Sequence, residues 1–358
     1  MESQFNWIYV LIIGAVVIAF FFGFAYKQKQ SSESANAITI SSNMKSIFTV
    51  ARSNVDSASS AKLLGKTMIY SCNEGFPEIK IDSASNSLPG VVVFAPKLLQ
   101  GDEVYVWTQS WFAPYKVDNF LYVSSPKTLY YFVYNGTSNA KLGNKINKSL
   151  PDVFNAIIDN KLDWSNVVDD NYDNIKVIFI GVSHSTLSTL ASGSGIFFPY
   201  IGDTKFSVMS IESFANTDDE IGKVYYHSIG IDNKLNVALV ANNTEYIGYA
   251  SLLASVFSDD KNDYECGMNV AFDKMIKVTD YLYNRTDYFK SKLGTAPSLN
   301  SLRCGDSIDL ILSYLDSNNN ALTASTDFVT KVNLLANKYN DLNYQNSYLE
   351  SNSCPLTY

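Results

Sequence analysis

The chain has 358 residues, of which 46% are hydrophobic, 17% charged and 14% aromatic, with a formal net charge of −8. So low a charged fraction beside so many aromatics excludes a disordered chain. The negative balance, without a basic patch, excludes a nucleic-acid partner.

Residues 3–26 contain no charged side chain, and their centre, Ile8 to Ala25, is an unbroken apolar run of 18 residues. A bilayer core about 30 Å thick needs roughly 20 helical residues at about 1.5 Å each. Trp7, Tyr9 and Tyr26 stand near the two ends, where aromatic rings favour the membrane interface. The partner implied is the lipid bilayer, through residues 7–26. The run is long for a signal peptide, no basic residue precedes it, and Phe24-Ala25-Tyr26-Lys27 is a poor cleavage site. An uncleaved signal-anchor is therefore expected. Beyond it about 330 residues remain, enough for one large domain or two ordinary ones.

Two signals for orientation conflict. Lys27 and Lys29 follow the span directly, which by the positive-inside rule places the rest in the cytoplasm. Against this, Cys72, Cys266, Cys304 and Cys354 all lie beyond the span, and none belongs to a CxxC or a Cys/His cluster. Such a set suits two disulfides and an oxidising compartment. Sequons at Asn135, Asn147, Asn242 and Asn284 point the same way. An extracytoplasmic domain is the expectation.

In 31–64, Ile40, Met44, Ile47, Ala51 and Val55 recur at three- to four-residue spacing, which predicts a helical stalk continuing the anchor. From residue 66 the period changes. Short β-branched and aromatic runs at 67–71, 78–82, 91–95, 103–109, 120–123 and 128–134 alternate with turn residues, as in a β-rich sheet. A helix is predicted over 151–162, with Ser149 as N-cap and Pro151 in its first turn. Residues 175–182 form a near-continuous apolar run, as in a strand buried on both faces. Further strands are predicted at 206–211, 224–231 and 235–240, and a helix at 245–257, giving an α/β layer.

The last hundred residues carry helical stripes: Ala271, Met275, Val278 and Leu282; then Ile308, Ile311, Leu312 and Leu315. A third runs through Phe328, Val332, Leu335, Tyr339, Leu342, Asn346 and Leu349, nearly three heptads, and predicts a helical hairpin or, less economically, an intermolecular coiled coil. If three helices run up, down and up, Cys304 falls at the same end as Cys354, and Cys72 is left for Cys266; this is one of three possible connectivities. The fold class is thus mixed α+β and α/β. Its divisions are an anchor (1–30), a helical stalk (31–64), a mixed α/β domain (65–260) and a C-terminal helical region (261–358).

For chemistry, Gly181-Val182-Ser183-His184-Ser185 follows the most buried predicted strand and nearly matches the G-x-S-x-G elbow. Ser183 would be the nucleophile, with His184 or His227 as the base. The alternative is that Ser183 or Ser185 caps the next helix. Two calcium-loop-like runs occur, at 169–173 and at Asp316, Asn318, Asn320 and Asp327, but each lacks the turn glycine. Ser192-Gly193-Ser194-Gly195 lacks the Gly-Lys-Ser/Thr of a phosphate loop and predicts a turn. Two histidines without a CxxC give no transition-metal site, and no cofactor motif is present. Trp107, Trp111, Phe112 and Tyr115 are either core or a surface for a glycan or protein partner.

The opening Gln4-Phe5-Asn6-Trp7-Ile8, with the apolar span behind it, resembles uncharacterised N-terminally anchored membrane proteins of small-genome archaea. So do Tyr264-Glu265-Cys266 and the ending Ser353-Cys354-Pro355-Leu356-Thr357-Tyr358. The resemblance implies an archaeal surface location and carries over no activity and no site residue. An apolar helix extended by a polar one is also similar to type IV pilins, although the basic-Gly processing site before the span is absent. The reading that follows is a single-pass surface protein in a binding or structural role. A membrane-tethered serine hydrolase and a pilin-like subunit are the alternatives.

Overall fold

The structure is a computed structural model. It describes residues 3–73, 75–134, 136–167, 172–192, 196, 198–199, 204–213, 220–230, 232–237, 242–293, 299–325 and 327–358. The element order is α1 (Ser3–Ala51), β1 (Ala58–Lys62), β2 (Met68–Asn73), β3 (Phe76–Ile81), β4 (Ala84–Ser87), β5 (Val93–Phe94), β6 (Leu98–Leu99), β7 (Glu103–Phe112), β8 (Lys116–Ser124) and β9 (Thr128–Tyr134). There follow α2 (Gly136–Ser149), β10 (Asn155–Asp159), β11 (Asn174–Ile180), α3 (His184–Ser192), β12 (Lys205–Ser213), β13 (Ile221–Ile229), β14 (Leu235–Asn236) and β15 (Asn243–Ile247). The chain ends in α4 (Tyr249–Phe257), α5 (Lys261–Leu293), α6 (Leu299–Ala324) and α7 (Phe328–Ser351). This is the mixed α+β layout expected: a long apolar helix, a sheet-rich middle and C-terminal helices.

Helix α1 has two halves with opposite environments. Leu11, Ile12, Phe20 and Phe22 are each more than half exposed, and no other described element buries them. The second half is locked down: Ile40, Met44, Phe48 and Ala51 are buried in one cluster with β-strand residues such as Ile79, Ile81 and Val106. Where the helix ends, a local turn and the sheet both satisfy its carbonyls, with Ser53 N donating to Val50 O and Asn54 N to Ala51 O. Thr108 Oγ1 donates to Ala51 O, and Asn119 Nδ2 to Arg52 O. The expected stalk therefore ends thirteen residues early and is no free spacer; Ala58–Lys62 within it forms β1 against β7. Replacing Phe48 by Ala is expected to cost about 3–5 kcal/mol, while Phe22→Ala, on the exposed half, leaves unfolding of the head unchanged. Thermal unfolding of the two variants checks this.

Among the described residues there are three sheets, with strand orders β4-β3-β2-β6, β1-β7-β8-β5 and β10-β9-β11-β12-β13-β14, with β15 also on β13. In the third, β10, β9, β11 and β12 are mutually parallel and β13 is antiparallel. Its central strands β9 and β11 read as near-continuous apolar runs because both faces are covered. Tyr130, Phe132, Ile178, Ile180, Met209 and Ile211 face one core, shared with α2, α4 and the C-terminal helices. Leu129, Tyr131, Val133, Val177, Phe179 and Val208 face the other, beneath Leu187 of α3.

Two predicted helices are corrected. Residues 151–162 contain the strand β10, and the helix lies just before them as α2, with Ser149 its last residue rather than an N-cap. Pro151 stops that helix instead of starting one. In 245–257 the first three residues belong to β15, and α4 starts only at Tyr249. Gly248 makes the break: its φ is 81°, and an added Cβ would lie 2.4 Å from Phe112 O, so only glycine fits.

In the C-terminal region α6 packs between α5 and α7. The heptad positions Phe328, Val332, Leu335, Leu342 and Leu349 are buried within this chain, and Asn346 Nδ2 donates to Tyr358 O. The stripe is spent on the hairpin, not offered to a coiled-coil partner. Two disulfides are closed, Cys72–Cys266 between β2 and α5 and Cys304–Cys354 between α6 and the tail beyond α7.

Candidate functional site

Ser183 lies in the turn from β11 to α3, at the carboxyl end of a parallel strand. Its Oγ accepts from Thr186 N at 3.2 Å and bonds Thr186 Oγ1 and Ser185 Oγ at 2.8 and 3.0 Å. That is an N-cap, satisfying one of the free amides of the first turn. Both histidines do come together nearby. His184 opens α3 and stacks on Tyr225 with centroids 5.0 Å apart, and its ring lies 6.4 Å from that of His227. His227 Nε2 bonds Ser210 Oγ at 2.9 Å. The register explains the grouping, since Ser210 faces Tyr225 and Val208 faces His227 across β12 and β13, and alternate residues share a face. Burial, followed by the charge of His184, pushes His227 down to about 4, so it is neutral at pH 7. Tyr225 is raised by burial and by Glu212. Ser210 is fully buried, and Ser183 is engaged with its own helix. The cluster thus has stacked imidazoles and hydroxyls, while the hydrogen bonds of Ser183 among the described residues go to Ser185 and Thr186.

The other candidates resolve differently. Asp316, Asn318 and Asn320 lie on α6, where successive alternate residues point in different directions and cannot converge on one cation. Asp327 caps α7, accepting from Thr330 N at 2.8 Å. In the other calcium-like run, 169–171 lie outside the described residues, as do 193–195 and the sequon residue Asn135. Trp107, Trp111 and Tyr115 are at most 2% exposed, and Trp111 Nε1 donates to Ile247 O. They are core, not a surface for a partner; Phe112, 48% exposed, is the exception among the four.

Phe112 belongs instead to a cleft of about 820 Å³ that the sequence did not reveal. Gln109 and Phe112 come from β7, Tyr249 from the start of α4, and Tyr339, Asn340 and Asn343 from α7. Its rim includes Asp56, just beyond α1. Glu220 sits inside, its Oε2 accepting from Tyr249 N and its Oε1 paired with Lys145 at 3.1 Å. Lys145 also lies 4.3 Å over the Tyr249 ring, and Tyr249 OH meets Ser149 Oγ at 2.5 Å. Burial raises Tyr249 well above the usual phenol range and pushes Tyr339 up to about 12. Both stay neutral hydroxyls that donate and accept hydrogen bonds.

No known protein family, curated protein or solved structure matches this chain. Among the described residues no three His, Cys, Asp or Glu side chains are grouped to hold a metal ion. The histidine pair makes a pH prediction. A base whose folded pKa lies below its unfolded value keeps its stabilising contribution above about 6.5 and loses it as pH falls toward about 4. NMR titration should therefore place the His227 midpoint about two pH units below that of an exposed histidine. A midpoint near the ordinary value would show that the ring is not held in this environment.

Proposed function

We propose that this chain is a single-pass membrane protein whose disulfide-bonded head stands outside the membrane in a binding or structural role. The observation that carries the reading is α1. It is one uninterrupted helix, apolar and exposed along Tyr9 to Tyr26, whose second half buries one face in the core through Ala37, Ile40, Met44, Phe48 and Ala51. An apolar stretch that none of the other described elements covers needs an apolar surround, which a bilayer provides. The anchor passes into the head without a hinge, so the head holds a set orientation on the membrane. Disulfides within the head suit an oxidising exterior.

The full-length protein is expected to resist alkaline carbonate extraction and to be released by deletion of residues 1–27. Thiol blocking followed by non-reducing mass spectrometry should find no blocked cysteine, and protease added to intact cells should remove the head. Four blocked thiols with a protected head would overturn the outside assignment. The same helix supports a second reading, a pilin-like subunit. Loss of the residues before the span in the mature protein would favour it. The hydrolase reading gains nothing, because Ser183 serves as a helix cap.

A further inference from the structure

We infer that the cleft between β7, α4 and α7 is a binding site for a neutral oligosaccharide. The inference deepens the binding role proposed above and rests on that reading for its location at the cell surface.

The lining chemistry selects the ligand class. Sugar hydroxyls both donate and accept, and the groups that match them are amides and neutral hydroxyls. Asn340, Asn343 and Gln109 supply amides, and Tyr339 supplies a neutral hydroxyl. Gln109 Oε1 has no hydrogen-bond partner among the described residues and lies just beneath the cleft surface. Pyranose rings also present apolar C–H faces, and the exposed ring of Phe112 is a surface on which one can lie.

Charge excludes the alternatives. Asp56 and Glu220 are the ionisable carboxylates of the lining, no Lys or Arg belongs to it, and the nearby Lys145 is paired with Glu220. An anionic ligand would meet net negative potential. A cation would find one carboxylate already paired and the other exposed on the rim. A volume of about 820 Å³ admits several sugar units.

Position agrees with use at a surface. From Tyr26 to Ala51 the helix rises about 37 Å. Val55 and Asp56, which border the cleft, follow directly on its far end. The cleft therefore opens at the end of α1 remote from the membrane, where long external glycans can reach it.

The test uses the full chain in lipid nanodiscs, since sugar-headed detergents would compete. Maltohexaose, cellohexaose, mannohexaose and N-acetylchitohexaose are titrated up to about 1 mM, the weak end of specific recognition, with heparin and spermine as charged probes. At least one neutral hexasaccharide is expected to bind and to lose about tenfold or more in affinity in Asn340→Ala and in Phe112→Ala. Asn340 is exposed, so that variant keeps the wild-type melting temperature. Overturning results would be no neutral binder in the panel, neutral binding unchanged in both variants, or preference for heparin or spermine. Cleft-dependent binding together with a protease-protected head would keep the ligand and sink the surface location. An accessible head without binding would sink the ligand alone.

Discussion

Replacing Lys176 by Met is expected to lower the stability of the head by about 3–5 kcal/mol, the cost of breaking a buried charge pair. Its melting temperature should fall by roughly 10 °C. Lys176 sits mid-way along β11 and is 3% exposed. Its ammonium donates to the carbonyls of Phe257 and Ser258 at 3.1 and 2.9 Å, with Val256 O at 3.4 Å, and pairs with Asp259 at 2.8 Å. These are the last carbonyls of α4, a helix whose residues from Ala250 to Phe257 are all buried, so water cannot easily replace the lysine there. A methionine fills the same volume but leaves those carbonyls and a carboxylate without their cation. The negative end of the helix dipole adds to the loss. Asp259→Asn should cost less, because the lysine keeps its carbonyl partners. A loss under about 1 kcal/mol in Lys176→Met, typical of exposed pairs, would show that solvent reaches the site.

That lysine also shows how the sequence can mislead. In 175–182 it is the one charge in an otherwise apolar run, and the strand is legible despite it because seven of its eight residues are apolar or glycine. Strand β9 was legible for the same reason, since a strand covered on both faces has no polar alternation to obscure it. The region 136–159 was not. Leu142 and Ile146, with Leu150 just past its end, give α2 a narrow stripe, and its opening Gly-Thr-Ser-Asn reads as a loop. Behind it, Val153, Phe154, Ile157 and Ile158 fit a helical spacing although the first two lie in a turn and the last two in the strand β10. Short apolar runs do not distinguish the two states, and Pro151 beside Ser149 serves equally as a start or a stop. The calcium-like spacing of Asp316, Asn318 and Asn320 failed because spacing says nothing of whether the backbone is a loop. Of the candidate chemistry, the meeting of His184 with His227 depends on the register of β12 with β13, which no local pattern records. The cleft is still less legible, because its walls come from segments that meet only in the folded chain, while the aromatic cluster that stood out in the sequence went mainly to the core.

The second large effect concerns the seam between the anchor and the C-terminal helices. α1 docks on β3 and β4, whose sheet also contains β2, and Cys72 of β2 is bonded to Cys266 of α5 across 194 residues of chain. Opening a loop of that length releases about 5 kcal/mol of chain entropy to the unfolded state, against about 4 kcal/mol for the loop of 50 between Cys304 and Cys354. Replacing Cys72 and Cys266 together by Ser is therefore expected to lower the melting temperature by more than the Cys304 and Cys354 pair does, each measured at one scan rate. A salt-bridge network spans the same seam. Buried Asp118 of β8 receives both Arg52, at the end of α1, and Lys274 of α5. Asp118→Ala leaves two cations facing each other, and in the background lacking the Cys72–Cys266 bond its cost should exceed its cost in the wild type, because both then restrain one interface. If the two costs simply add, the bond and the network act on separate parts of the fold. Greater-than-additive loss would identify the junction through which α1 holds the head in a fixed attitude, and a reductant would then loosen the head while leaving the anchor in place.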